Sequence, residues 1–265
     1  MKGRLDLMHT LNFVIDIVLA GYVTWEVVRF GPQYRQLKLD LAKGDTRARI
    51  RVYYQAIVFE WVSALLALFA LGFDWNKLNP KFLALEGTRW MQVMGSGEFD
   101  RGRMAGLLFG LLLGTVGAVI ARLRSNRRRV TPAAVPARWW RRLLPDFSAL
   151  IPATTHERLL WAAVAVSAGV CEEVVFRGWL LATLHGGLRM DGTALIVIAA
   201  ALFGLAHSYQ GLAGVVLTGL VGAVFCGLYL ATGSLLAPIL LHIVVDLRFA
   251  VLPGQRTHNA ETIYA

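Results

Sequence analysis

Cys171-Glu172-Glu173-Val174-Val175-Phe176-Arg177 places two carboxylates and a guanidinium inside an apolar run, about 158–184, that is long enough to cross a bilayer. A charge near the bilayer centre costs about 2.5–3.5 kcal/mol on insertion scales, so such groups are rare, paired and functional. Three of them in six residues require partners, and they restrict the chain to folds that bury this segment inside a bundle.

The remaining composition agrees with a membrane setting. Of 265 residues, 56% are hydrophobic and 17% charged, against about 45–50% and 25% in ordinary soluble domains. The net charge of +10 is concentrated between apolar runs, which suits anionic lipid headgroups and not a nucleic-acid surface. Cys171 and Cys226 both fall in apolar runs, so no disulfide framework or CxxC metal motif exists. Lys2 and Arg4 precede an apolar run that carries Asp16 and Glu26 and has no clear small-residue cleavage site. It reads as a retained transmembrane helix and not a signal peptide.

Seven spans are expected, at about 10–28, 55–73, 104–121, 158–184, 193–208, 211–231 and 234–251, or eight if a re-entrant segment is added. The predicted fold is therefore an all-α, polytopic transmembrane bundle. It divides into a three-span part (1–121), a basic interfacial linker (122–157), a four-span part (158–251) and a tail (252–265). The expected loop from Arg29 to Arg51 carries Arg35, Lys38, Lys43, Arg47 and Arg49. The loop after the third span carries Arg122, Arg124, Arg127, Arg128, Arg129, Arg138, Arg141 and Arg142. The positive-inside rule puts both loops in the cytoplasm, and with seven spans the C-terminus as well. The linker, with Trp139-Trp140-Arg141-Arg142, suits the headgroup zone. Gly106, Gly110 and Gly114 recur every four residues, a helix-packing signal with no function attached.

Glu173 and Arg177 lie four apart with the acid first, the favourable orientation for a same-face ion pair. Glu172 lies about 100° away around the helix, so it faces another neighbour and is the candidate that points into a site. The bland reading of the trio is an ion-pair network that locks two helices. However, Phe203 and His207 share a face of the next span, and His242 and Asp246 share a face of the last. At about 1.5 Å per residue, Glu172, His207, His242 and Asp246 all fall within roughly one and a half turns of the midplane. A carboxylate and an imidazole can hold and activate a water, and donors opposite can stabilise an oxyanion, the inventory for hydrolysing an amide. No Ser or Cys nucleophile is evident, and there is no HExxH motif.

Glu-Glu-x-x-x-Arg, then Phe-x-x-x-His, then His-x-x-x-Asp in successive membrane helices resembles the CPBP intramembrane proteases, which include CAAX-type prenyl endopeptidases and bacteriocin-processing enzymes. The surrounding Leu202-Phe203-Gly204-Leu205-Ala206-His207 and Gly227-Leu228-Tyr229-Leu230-Ala231-Thr232-Gly233-Ser234-Leu235-Leu236-Ala237-Pro238 are similar too, and the likeness covers roughly 158–250. The resemblance implies a catalytic site inside the four-span part, in which Glu172 and His207 activate water and His242 and Asp246 form the oxyanion side. Glu173, Arg177 and Phe203 support them. Much of the family has Asn at the position of Asp246, where an ionised Asp would repel an oxyanion. It must be protonated, orient His242 or bind something positive. Glu172, His207, His242 and Asp246 are also the ligands a zinc ion would take, although a glutamate–histidine mechanism needs no metal and is preferred.

The implied activity is an intramembrane endopeptidase of the bacterial inner membrane. It would cut near the C-terminal end of a membrane-anchored protein or peptide, with a prenylated or sorting tail as candidate substrate. Two other readings stand beside it: a non-catalytic immunity or scaffold protein of the same fold, and a proton-coupled transporter. Intact motif residues weigh against the first, and the absence of an evident inverted repeat between the two halves weighs against the second.

Overall fold

A computed structural model describes residues 2–73, 147–190 and 192–251. The described residues form α1 (Lys2–Ala42), α2 (Ala48–Ala70), α3 (Thr155–Glu173), α4 (Leu181–Leu188), α5 (Gly192–Ala206), α6 (Leu212–Thr232) and α7 (Leu236–Val251). A π-helical segment, Val174–Leu180, joins α3 to α4 without a break. Short 3-10 turns stand before α3 (Ser148–Leu150) and between α5 and α6 (Ser208–Gln210). No strand occurs among the described residues.

Among the described residues, three helices are long and apolar enough to cross a membrane: Ala48–Ala70, Thr155–Gly186 and Leu212–Thr232. Seven full spans are not found among the described residues. The expected span at 104–121 and the basic segment from Arg122 to Pro145 lie outside them. Helices α5 and α7, with 15 and 16 residues, rise only about 22–24 Å, less than the roughly 30 Å hydrocarbon core.

The expected loop from Arg29 to Arg51 is mostly helix. Helix α1 continues to Ala42 and α2 begins at Ala48. The reason lies under the charges. Phe30, Tyr34, Leu37 and Leu41 recur at helical spacing, and all four join a core with Val52, Tyr53, Leu150 and Val164. The true turn is closed by Asp45, whose carboxylate accepts from the Arg47 N–H at 2.9 Å and from Arg51 Nη2 at 2.6 Å. These bonds, that to Arg51 above all, hold its carboxyl below the usual value.

The start of α3 is fixed by a capping box. Thr154 Oγ1 accepts from the Glu157 N–H at 3.2 Å, and Glu157 Oε2 accepts from the Thr154 N–H at 3.1 Å and the Ala153 N–H at 2.6 Å. Helix α2 is anchored to this entry. Buried Arg49 donates from Nε to the Ala149 carbonyl at 2.8 Å and lies 3.7 Å from Glu157 Oε2. The Tyr53 hydroxyl donates to the Leu150 carbonyl at 2.6 Å.

A larger core joins Ile15 and Leu19 of α1, Ala64 and Ala67 of α2, and Cys171, Val175 and Trp179 of the long helix. Trp61 Nε1 donates to Ser167 Oγ at 3.0 Å, and Trp179 Nε1 donates to Asp16 Oδ1 at 2.6 Å. Two glycines set the closest crossings. A Cβ on Gly169 would stand 2.5 Å from Ile243 Cγ1, and one on Gly204 would stand 2.4 Å from the Val215 carbonyl oxygen.

Gly204→Ala is therefore expected to destabilise the protein. Overpacking against a backbone oxygen costs about 1–3 kcal/mol, against a helix-propensity gain of at most about 1 kcal/mol. Gly186→Ala, with nothing within 4 Å, is expected to be neutral or slightly stabilising. Thermal unfolding in detergent compares the two.

Candidate active site

Glu173 is fully buried, and its Oε1 is shared by two partners. Arg177 Nη1 donates to it at 3.0 Å and His242 Nδ1 at 2.8 Å. The first contact is the i,i+4 pair within the long helix. The second reaches across to α7 and ties the two helices at the level of the site. Arg177, 1% exposed, also donates from Nη2 to the Gly222 carbonyl on α6 at 3.1 Å. Its guanidinium lies over the rings of Phe203 and Phe225, 4.5 and 5.3 Å from their centroids. A side chain on Gly222 would meet Phe203 Cδ1 at 2.9 Å, so this glycine lets the Phe203 ring approach α6.

Arg177 sits within the π turn that follows Glu173. Such turns are rare and occur often at functional sites. The widened turn begins directly after the Glu172-Glu173 pair, at Val174.

Glu172 takes a different direction. Its Oε2 is buried without a hydrogen-bond partner, 4.0 Å from His207 Nε2 and 3.9 Å from His242 Nε2. His207 lies just past the end of α5, where its Nδ1 is 2.9 Å from the Phe203 carbonyl oxygen. That oxygen can only accept, so Nδ1 carries the proton and Nε2 of the neutral ring is an acceptor. The Phe203 ring packs against His207 (centroids 4.9 Å), Phe176 (5.0 Å) and His242 (6.1 Å). Asp246 Oδ2 stands 3.6 Å from His242 Nε2, and the Asp246 backbone carbonyl accepts from Trp161 Nε1 at 3.0 Å.

Glu172, Phe203, His207, His242 and Asp246 thus line one cavity of about 410 Å³, while Glu173 and Arg177 pack behind it. Its walls include residues that the motif search missed. The site was expected inside the four C-terminal helices, yet α1 and α2 contribute Val23, Phe30, Phe59 and Glu60 to the same cavity. Glu60 had a readable signal, since it is the one charged residue between Val52 and Ala70. Gly222 and Phe225 had none, because a glycine and a phenylalanine in an apolar helix look like any others. Among the described residues, no three His, Cys, Asp or Glu side chains are grouped closely enough to hold a metal ion.

A family model described as "Rce1-like: Type II CAAX prenyl endopeptidase Rce1-like" matches residues 154–248. Over that stretch the chain is similar to the Rce1-like family. The match begins at the Thr154 cap and runs into α7, so it contains all seven motif residues and leaves α1 and α2 outside. It supports a protease of the CAAX type and, together with the three long apolar helices, an integral membrane protein with a membrane-associated protein substrate. No curated protein and no solved structure matches the chain.

Removing one partner of a buried ion pair costs about 3–5 kcal/mol, because the other charge is stranded. Arg177→Leu is therefore expected to destabilise the protein by that order. The double variant Glu173→Leu/Arg177→Leu should recover only part of the loss, because His242 Nδ1 then loses its acceptor. Thermal unfolding of both variants in detergent checks this.

Proposed function

We propose that this chain is a glutamic-type intramembrane endopeptidase that hydrolyses a peptide bond near the C-terminal end of a membrane-anchored protein or peptide. The observation that carries the reading is the position of Glu172 Oε2 between two imidazole Nε2 atoms, at 4.0 and 3.9 Å. A water with hydrogen bonds of about 2.8 Å bridges groups at such a separation. In the proposed reaction Glu172 takes a proton from this water, whose other hydrogen bonds to the lone pair on His207 Nε2. The water oxygen adds to the scissile carbonyl carbon. The carbonyl electrons move to oxygen, and this oxyanion accepts from His242 Nε2–H. The carbonyl then re-forms, the C–N bond breaks, and Glu172 passes its proton to the departing amine.

In that role the His242 ring is doubly protonated, because Nδ1 already donates to Glu173. Its charge is balanced by the carboxylates of Glu173, Glu172 and Asp246 around it. Asp246, at 3.6 Å from Nε2, steadies the ring in this reading and does not touch the oxyanion. In this reading an Asp at that position does not oppose the oxyanion.

We propose the metal-free mechanism. A tetrahedral zinc centre with bonds of about 2.0–2.2 Å sets neighbouring donors roughly 3.3–3.6 Å apart. The Glu172–His207 and Glu172–His242 pairs are wider than this, at 4.0 and 3.9 Å, and His242–Asp246, at 3.6 Å, is at its edge. The substrate class we propose is an apolar or lipid-anchored tail, prenylated or of the sorting type, because Val23, Val27, Phe30 and Phe59 line the cavity. The proposed orientation has the end of α7 in the cytoplasm of a bacterial inner membrane. Phe249 there packs on Phe147 with centroids 4.8 Å apart, on the same side as the arginines at the start of α2, where Arg49 bonds Ala149.

Glu172→Gln is expected to lower turnover of fluorogenic peptides with a Cys-aliphatic-aliphatic-X end, with or without an S-farnesyl group, by roughly 10²–10⁴-fold. Its unfolding midpoint should stay near the wild-type value. Retained turnover would remove Glu172 from the chemistry. Dialysis of active enzyme against a strong chelator should leave the rate unchanged. A rate lost on chelation and restored by zinc would overturn the metal-free mechanism.

A further inference from the structure

Glu60 is an acid that the proposed chemistry leaves unused. It is 7% exposed, its Oε2 is buried with no hydrogen-bond partner, and it lines the same cavity as Glu172 and the two histidines. A buried carboxyl without a partner destabilises the fold that holds it, so its presence calls for a donor that arrives from elsewhere.

The nature of that donor follows from the walls. The cavity is lined mostly by helices, whose interior backbone N–H and C=O groups are spent on one another. A substrate segment presented for cleavage must expose its peptide bond, and its own N–H groups then need acceptors. Along the helical walls only side chains can supply them. The Thr218 hydroxyl is bonded to its own helix at the Gly214 carbonyl, and Ser63 to the Phe59 carbonyl. Gln55 Oε1 accepts from Gln33 Nε2. Among the described residues, the buried acceptors in the lining with no partner besides Glu172 are Glu60 Oε2 and Gln33 Oε1. Both come from α1 and α2, outside the stretch that carries the family motifs.

We propose that Glu60, assisted by Gln33, is a substrate-reading residue: its carboxyl accepts hydrogen bonds from peptide N–H groups of an extended segment laid across the cavity beside the scissile bond. The inference rests on the endopeptidase reading. It assigns to the two N-terminal helices the task of holding the substrate while α3, α5 and α7 carry the reacting groups.

The test compares Glu60→Leu and Glu60→Gln with wild type in detergent, using the S-farnesylated fluorogenic peptide as probe and unfolding midpoint as a second readout. Glu60→Leu removes the acceptor and relieves the buried, unpartnered carboxyl. It should raise KM about tenfold or more, leave kcat within about threefold, and raise the unfolding midpoint. Glu60→Gln keeps an acceptor oxygen and should hold KM within about threefold of wild type. An unchanged KM in Glu60→Leu overturns the proposal, as does a lowered midpoint with loss of kcat, which marks a structural residue. Equal loss in both variants also overturns it, because the charge and not the acceptor is then what matters. Wild-type enzyme that fails to cleave the probe overturns this inference together with the endopeptidase reading, whereas wild-type cleavage with any of the other results leaves that reading intact.

Discussion

The carboxylate of Glu173 is the point on which the site depends. It is fully buried and joins Arg177 of its own helix to His242 of α7. Alone in an apolar interior it would be costly. With both partners it fixes three things together: the rotamer of Arg177, the ring of His242, and the register of α7 against the long helix. The π turn after it carries Arg177 inward, and Arg177 extends the tie to Gly222 on α6. Glu173 therefore does for His242 what the Phe203 carbonyl does for His207. Each holds an Nδ1 so that the Nε2 faces Glu172.

The division of labour between adjacent acids is a consequence of helical phase. Glu172 and Glu173 differ by one residue, yet one lines a cavity and the other is sealed behind it. The cavity in turn depends on helices outside the motif-bearing stretch. Arg49 and Tyr53 bind α2 to the turn before α3, and the Trp61–Ser167 and Trp179–Asp16 bonds hold α1 and α2 along the long helix. Polar bonds placed at intervals along apolar faces set helix register where apolar contact alone would allow sliding.

Much of this was legible in the sequence, for physical reasons. Charges in apolar runs are conspicuous, so Glu172, Glu173, Arg177, His207, His242 and Asp246 could be picked out, and the i,i+4 rule was enough to pair Glu173 with Arg177. Other features were hidden. The helix across residues 30–42 was masked by its basic residues, although Phe30, Tyr34, Leu37 and Leu41 carry the period that makes it. The π turn has no local signal in the sequence, although Arg177 within it bonds both its own helix and a neighbour. The contact of His242 with Glu173 links residues 69 positions apart, and no spacing rule connects them. Glu60 was readable by the same criterion that exposed Glu172 and stood alone in its helix, with no second motif residue to draw attention to it.

The central claim is that Glu172 and His207 act on one water as a unit. A double-mutant cycle on kcat/KM tests it most directly, with Glu172→Gln, His207→Ala and the two combined. Groups that act as a unit are strongly non-additive. The double variant is expected to be no worse than the poorer single variant, within about threefold. Losses that multiply in the double variant would contradict it, since the two side chains would then contribute independently.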